Sequence, residues 1–165
     1  MDAIVTGVGE GLRLLANIIG MLILFVALVY LVDGLLGWIP TGGDRLTLVG
    51  LFGTVLAPLA WLLGIPWAEA TAAGQLLATK LFINELVAYL QLAAQEPAVL
   101  SEHSRLILTY ALCGFANFGS LGIMIGGMTA MCPERSPDIL RLAPRSLWSG
   151  FLATCMTGAV VGLIP

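Results

Sequence analysis

Charge is what this chain has least of. Among 165 residues only 7 are lysine or arginine and 10 are aspartate or glutamate, so 10% are charged, against about 25% in an ordinary soluble domain. A net charge of −3 spread over so few groups leaves no basic face for a nucleic acid. Histidine is reduced to His103, in the polar stretch 96–105, which by itself makes no metal centre. Cys113, Cys132 and Cys155 are odd in number and follow no CxxC spacing, so they read as small apolar packing residues, neither disulfide frame nor metal site. Asp2 and Glu10 stand where a secretory signal carries its basic start, so no cleavage is expected. An intramembrane hydrolase built on Ser120 or His103 would need a base beside its nucleophile, and there is no second histidine. The chain does not read as an enzyme.

What fills the sequence instead is apolar: 59% of residues are hydrophobic. Four charge-free runs, Leu14–Val32, Leu46–Ala68, Leu106–Pro133 and Ser146–Pro165, reach the roughly 20 residues a membrane span needs. This is an integral membrane protein. Leu14–Val32 is the plainest transmembrane helix, apolar on every face, with Arg13 before it and Asp33 after it. A connector follows, rich in Gly34, Gly37, Pro40, Gly42 and Gly43. The run Leu46–Ala68 is punctuated by Gly50, Gly53, Pro58, Gly64 and Pro66. Pro58 removes a backbone bond in mid-run, so this run either spans or lies along the interface.

Between two of these runs sits Lys80-Leu81-Phe82-Ile83-Asn84-Glu85-Leu86-Val87-Ala88-Tyr89, with a lysine, an amide and a carboxylate at membrane depth. An ionisable group at the centre of a helix in lipid costs roughly 2.5–3.5 kcal/mol, and an apolar neighbour returns only a few tenths. Two such groups within a short stretch must therefore face protein, water or a ligand. The energetics favour a re-entrant hairpin over Glu69–Gln91 that turns at Ala78-Thr79-Lys80, because non-helical backbone at this depth needs protein or a wet cavity around it. The alternative is one straight span. On a straight helix Lys80 and Glu85 lie about 140° apart and do not pair. Lys80 would then share a face with Asn84 and Gln91, and Glu85 would look out beside Tyr89.

The run Leu106–Pro133 is longer than one straight span requires. At its middle stands Cys113-Gly114-Phe115-Ala116-Asn117-Phe118-Gly119-Ser120, whose glycines, amide and hydroxyl suggest an interrupted helix. Interrupted helices build substrate sites in secondary transporters, because unwound backbone and half-helix ends expose polar groups. A Gly-rich packing face with Asn117 bonded to a neighbouring helix explains the same residues. Gly122-x-x-x-Gly126 and Gly158-x-x-x-Gly162 read as packing motifs. Gly7-x-Gly9-x-Gly11 follows no strand and is no phosphate loop. Arg13, Arg135, Arg141 and Arg145 place their segments on the cytoplasmic side, which leaves the carboxyl terminus outside.

The stretch Ala78-Thr79-Lys80-Leu81-Phe82-Ile83-Asn84-Glu85-Leu86-Val87-Ala88 resembles the G-x-K-x-x-x-N-E-F-V-A signature of the concentrative nucleoside transporters, with Ala78 for the glycine and Leu86 for the phenylalanine. Leu108-Thr109-Tyr110-Ala111-Leu112-Cys113-Gly114-Phe115-Ala116-Asn117-Phe118-Gly119-Ser120-Leu121-Gly122-Ile123 is similar to a second block of the family. Pro133-Glu134-Arg135 before the last helix is similar as well. The likeness is to the carboxyl-terminal half of the family and runs over nearly the whole chain.

The resemblance implies an all-α membrane fold, half of an elevator-type transporter with a re-entrant hairpin and a broken transmembrane helix. It implies residues 1–43 as a scaffold helix and connector and 44–64 as an interfacial helix. Residues 65–165 become the transport-domain portion, with hairpin 66–92, broken helix 102–132 and last span 139–164. It implies cation-coupled uptake of a nucleoside in the plasma (inner) membrane by a homotrimer joined through the first helix. Glu85 and Asn84 match the ribose-facing pair of the hairpin, Asn117 and Ser120 match residues that reach the ribose hydroxyls, and Phe115 matches an aromatic beside the base. No cofactor is implied beyond the coupling ion, Na⁺ or H⁺.

Family members are more than twice this length. The first hairpin, with its base-reading Gln-Thr-Glu cluster, and most of the cation site would precede Met1. The expectation is a fragment, a truncated product or half of a split protein, inactive alone. The rival is a degenerate half-transporter with only a structural or interaction role. A nucleoside is neutral, and its ribose hydroxyls both donate and accept, which suits a carboxylate, an amide and a hydroxyl. Lys80 is expected to anchor the hairpin tip while Glu85 addresses the ligand or the coupled cation.

Overall fold

The computed structural model describes residues 2–39 and 45–164. All regular elements among them are helical: α1 Asp2–Leu36, α2 Leu48–Leu62, α3 Trp67–Phe82, α4 Glu85–Ala94, α5 Glu102–Leu112, α6 Phe118–Met131 and α7 Ser136–Val161, with a short 3₁₀ turn at Pro133–Arg135. The architecture is the expected all-α one, and it contains both a helical hairpin and a broken helix.

The first helix runs well past the apolar stretch Leu14–Val32. At 35 residues and 1.5 Å per residue it is about 52 Å long, longer than a bilayer core of about 30 Å. It absorbs Gly7, Gly9, Gly11 and Gly34, and most of its side chains are exposed. Gly37 lies in the turn that ends it, whereas Pro40, Gly42 and Gly43 of the expected connector fall outside the described residues. At the far end Asp33 Oδ1 accepts a hydrogen bond from the Leu48 amide at 2.6 Å. A carboxylate there satisfies one of the four amides that a helix start leaves unpaired.

The second helix starts on Thr47, whose hydroxyl accepts from the Gly50 amide at 3.0 Å, and continues through Pro58. It ends at Gly64, whose φ of +101° lies in the left-handed region that glycine enters without penalty. The chain then turns by 119° into α3. The two helices touch backbone to backbone: a Cβ on Gly74 would collide with the Gly53 carbonyl, and one on Gly53 would sit 2.5 Å from Gln75 Cγ. No other residue type fits that crossing.

The hairpin departs from the sequence expectation in its turn. Ala78, Thr79 and Lys80 are helical, and α3 continues to Phe82. The break falls at Ile83 and Asn84. Alanine and lysine are good helix formers, whereas asparagine is a strong helix starter, and Asn84 Oδ1 accepts from the Val87 amide at 2.8 Å. That α4 folds back along α3 is fixed by Thr79 Oγ1, which donates to Gln91 Oε1 at 2.9 Å. On a straight helix those residues would be about 18 Å apart, so the single-span alternative does not hold. At the open end Arg105 caps α4, donating to the carbonyls of Leu92 (3.0 Å), Gln95 (2.8 Å) and Glu96 (3.1 Å). Glu69 Oε2 accepts from the amide and hydroxyl of Ser101, the residue that caps α5.

The core lies among α3, α5 and α7, with α2 laid over it. Leu77, Leu81, Ala111, Leu112, Phe151 and Cys155 are almost wholly enclosed. Gly158 and Gly162 press α7 onto Ile107 and Ala111 of α5, and Gly122 brings α6 against Met21 of α1. Cys155 is buried as expected, but Cys113 and Cys132 are exposed and do not act as packing residues. Cys113 begins the unwound linker and Cys132 ends α6, where the chain leaves the packed faces.

Candidate functional site

The breaks in the hairpin and in the second broken element are built alike. Asn84 opens α4 and Asn117 opens α6, both with extended backbone and both accepting an amide of the first turn on the side-chain oxygen. Asn117 goes further: Oδ1 accepts from the Ser120 amide at 2.7 Å, and the Asn117 amide donates to Ser120 Oγ at 3.2 Å, a reciprocal capping box. The interruption at residues 113–117 is thus written into its own side chains.

The two breaks meet. Asn117 Nδ2 donates to Glu85 Oε2 at 3.0 Å. Glu85 is the first residue of α4, so one carboxylate stands at its own helix start and against the cap of another. Each helix start carries about half a positive charge, and the acid sits between two of them. Among the described residues the one ion pair is Arg135–Asp138, so Glu85 is not held by a basic side chain.

All five residues singled out in the sequence line one open cavity of about 190 Å³. Glu85 and Asn84 are half-buried, Asn117 is 2% exposed, and Phe115 is 72% exposed. Each keeps a different amount of unused bonding capacity. Glu85 Oε1 and Asn84 Nδ2 have no partner among the described residues. Ser120 is more committed: its hydroxyl lies against the Phe115 and Asn117 carbonyls, at 2.5 and 2.8 Å, while accepting from the Asn117 amide. Its one proton is used on backbone, which leaves an acceptor lone pair at most. Phe115 and Ser120 also border a second cavity of about 530 Å³ between α6 and α7.

Sequence reading missed three contributors. Ile18, Met21 and Leu22 of α1 close the smaller cavity with an apolar wall, and no spacing in a uniformly greasy helix marks such a face. Gly119 lets the cap close, since a Cβ there would lie 3.2 Å from Asn117 Oδ1. Tyr89 donates to the Thr109 carbonyl at 2.6 Å, at the end of α5 that the break leaves open. Among the described residues no group of three His, Cys, Asp or Glu converges as a metal site would.

Comparisons with known proteins place the chain in a family. The family model described as "Na+ dependent nucleoside transporter C-terminus" matches residues 1–162. The Helicobacter pylori protein named nucleoside permease NupC is 39% identical over 169 residues, covering 99% of this chain and 40% of that protein. The human protein named sodium/nucleoside cotransporter 1 is 33% identical over 183 residues, covering 99% and 28%. An intermediate state of CNTnw superposes with a TM-score of 0.92 at 36% identity, covering 99% of this chain and 42% of that one. Its inward-facing substrate-bound state gives 0.82 at the same identity, covering 98% and 40%. The chain spans about two fifths of the length of its bacterial relatives. It belongs to the concentrative nucleoside transporter family, a family of membrane transporters and not of enzymes, and corresponds to that family's carboxyl-terminal part.

Proposed function

We propose that this chain supplies the ribose-binding side of a cation-coupled nucleoside symporter. The observation that carries the reading is the Glu85–Asn117 contact at the meeting point of two helix starts, beside a cavity. A ribose hydroxyl donates well to a carboxylate, and such a bond is roughly twice as strong as one between neutral groups. Glu85 Oε1 accepts one hydroxyl, and Asn84 Nδ2 donates to the other. Ser120 offers only an accepting lone pair, and Asn117 holds Glu85 in aim.

Cavity size supports a division of labour. Ligand pockets usually measure about 300–1,000 Å³, so the 190 Å³ space suits a sugar and not a whole nucleoside. The base would extend past the exposed Phe115 ring toward the 530 Å³ groove, which is lined mainly by apolar residues. The relatives are more than twice as long. We place the residues that read the base, and most of the site for the coupling Na⁺ or H⁺, in sequence beyond these 165 residues; this chain alone would then transport nothing.

In this reading α1 belongs to a scaffold that joins three copies, α2 lies along the membrane interface, and α3–α4 is a re-entrant hairpin. The elements after α2 form the moving body of an elevator. The protein lies in the plasma membrane, crosses it more than once, and has its carboxyl terminus outside. The exposed apolar surface of α1 and its length support the first assignment. Uptake of labelled uridine by cells making the intact protein tests the proposal: Glu85→Gln should abolish uptake while membrane insertion stays normal. Normal uptake by that variant would remove Glu85 from the site. A purely structural role in the membrane predicts instead no stabilisation of the intact protein by uridine.

A further inference from the structure

Among the described residues Lys80 is the one charged side chain that is fully buried, and nothing in the ribose site uses it. Its ammonium donates to the Ala111 carbonyl at 2.8 Å and to Thr154 Oγ1 at 2.5 Å, and it stands 5.6 Å from the centre of the Phe151 ring. Three helices therefore converge on it: α3 provides the lysine, α5 the carbonyl, α7 the hydroxyl and the ring. Among the described residues no carboxylate pairs with it. An unpaired ammonium in a dry interior is costly, so something else must offset its charge.

The break in the second element supplies that offset. Because the helix stops at Leu112, the last carbonyls of α5 have no amide to receive and carry the negative end of the helix. The hairpin attends to them from both arms. Lys80 of α3 takes the Ala111 carbonyl, and Tyr89 of α4 takes the Thr109 carbonyl. The same hairpin sends Glu85 to the positive start of α6. One hairpin thus places a cation at the negative end of the broken helix and an anion at its positive end. Gly114 keeps the space clear: a Cβ there would clash with Thr154 and lie 3.9 Å from Lys80 Nζ.

We propose that Lys80 is a positioning residue whose ammonium fills a cation site made by the open end of α5, Thr154 and Phe151, and that this docking sets Glu85 against Asn117. The site takes a primary ammonium because it offers a carbonyl, a hydroxyl and an aromatic face, the acceptor set for three N–H donors. The inference rests on the nucleoside reading only for an uptake measurement; a thermal measurement stands without it.

The thermal test uses the intact protein extracted from membranes, and uridine uptake is read in cells making it. Lys80→Ala should lower Tm by roughly 5–10 °C, and propylammonium should restore most of the loss saturably, while propanol and tetramethylammonium restore little. Lys80→Met fills the volume without the charge and should stay low under every addition. Thr154→Val keeps the lysine and the volume; it should lower Tm in the same direction and raise the half-saturating uridine concentration by about tenfold through misplacement of Glu85. Rescue of Lys80→Ala by propanol as fully as by propylammonium would overturn the proposal, as would a wild-type Tm in Lys80→Met. If neither lysine variant folds, Thr154→Val decides: wild-type Tm and wild-type half-saturation there reject the docking site. Failure of uridine uptake in the unsubstituted protein would strike the transport reading and leave the thermal result standing.

Discussion

Asn117 donates its side-chain amide to the carboxylate of Glu85 across 3.0 Å, and in doing so joins the starts of two helices that both begin next to a break in the chain. One amide does two jobs here. Its oxygen stops the α6 start from unravelling, and its nitrogen holds the acid toward the cavity. The site and the fold are therefore coupled through a single side chain, which makes their contributions separable by substitution.

Asn117→Ala removes both functions. The cap is worth about 1 kcal/mol, and the charge-assisted bond about 1.5–3 kcal/mol, so the variant should lose roughly 2.5–4 kcal/mol and bind no nucleoside. Asn117→Ser keeps the cap and loses only the amide donor. Its stability should fall by about 1.5–3 kcal/mol, about 1 kcal/mol less than in the alanine variant, while uptake falls as far as in that variant. Denaturation in mixed micelles, run beside uridine uptake, checks both values.

Gly74→Ala should be among the most damaging single changes in the protein. The added methyl meets the Gly53 carbonyl and comes within 3.0 Å of the Ala57 amide, and backbone cannot swing aside as a side chain can. Overpacking of this kind costs about 1–3 kcal/mol or more. Gly126→Ala, whose Cβ would meet nothing within 4 Å, is the control and should be neutral. Tm of the two variants measures the contrast.

Arg105→Met removes four hydrogen-bond donations to carbonyls around the α4–α5 connection while keeping most of the aliphatic stem. The end of α4 should then fray. Hydrogen exchange read by mass spectrometry should accelerate in peptides covering residues 92–100 and remain unchanged in α6.

Much of this arrangement was legible because polar residues are rare. In a chain with so few charges, Lys80, Glu85 and the amides at 84 and 117 stand out by their cost alone, and all but Lys80 line one cavity. The sequence expectation puts the turn of the hairpin at Ala78-Thr79-Lys80, several residues too early: the helix tolerates all three and stops where Asn84 can start a new one. Lys80, expected to anchor the hairpin tip, lies in the last turn of α3 and donates to α5 and α7. Those partners lie 31 and 74 residues away, and no local pattern encodes such distances. Ser120 spends its proton on the backbone, because a serine three places after a capping asparagine completes the box. The apolar wall from α1 was invisible for the opposite reason: every face of that helix is greasy.

Recognition of the ribose hydroxyls by Glu85 can be read from the ratio of apparent affinities for uridine and 2′,3′-dideoxyuridine in the intact protein, before and after Glu85→Gln. The parent should prefer uridine by about tenfold or more, from the loss of a hydrogen bond to a charged group worth about 1.5–3 kcal/mol, and the variant should bind the two nearly alike. A variant that retains the full preference for uridine would show that Glu85 does not read the ribose.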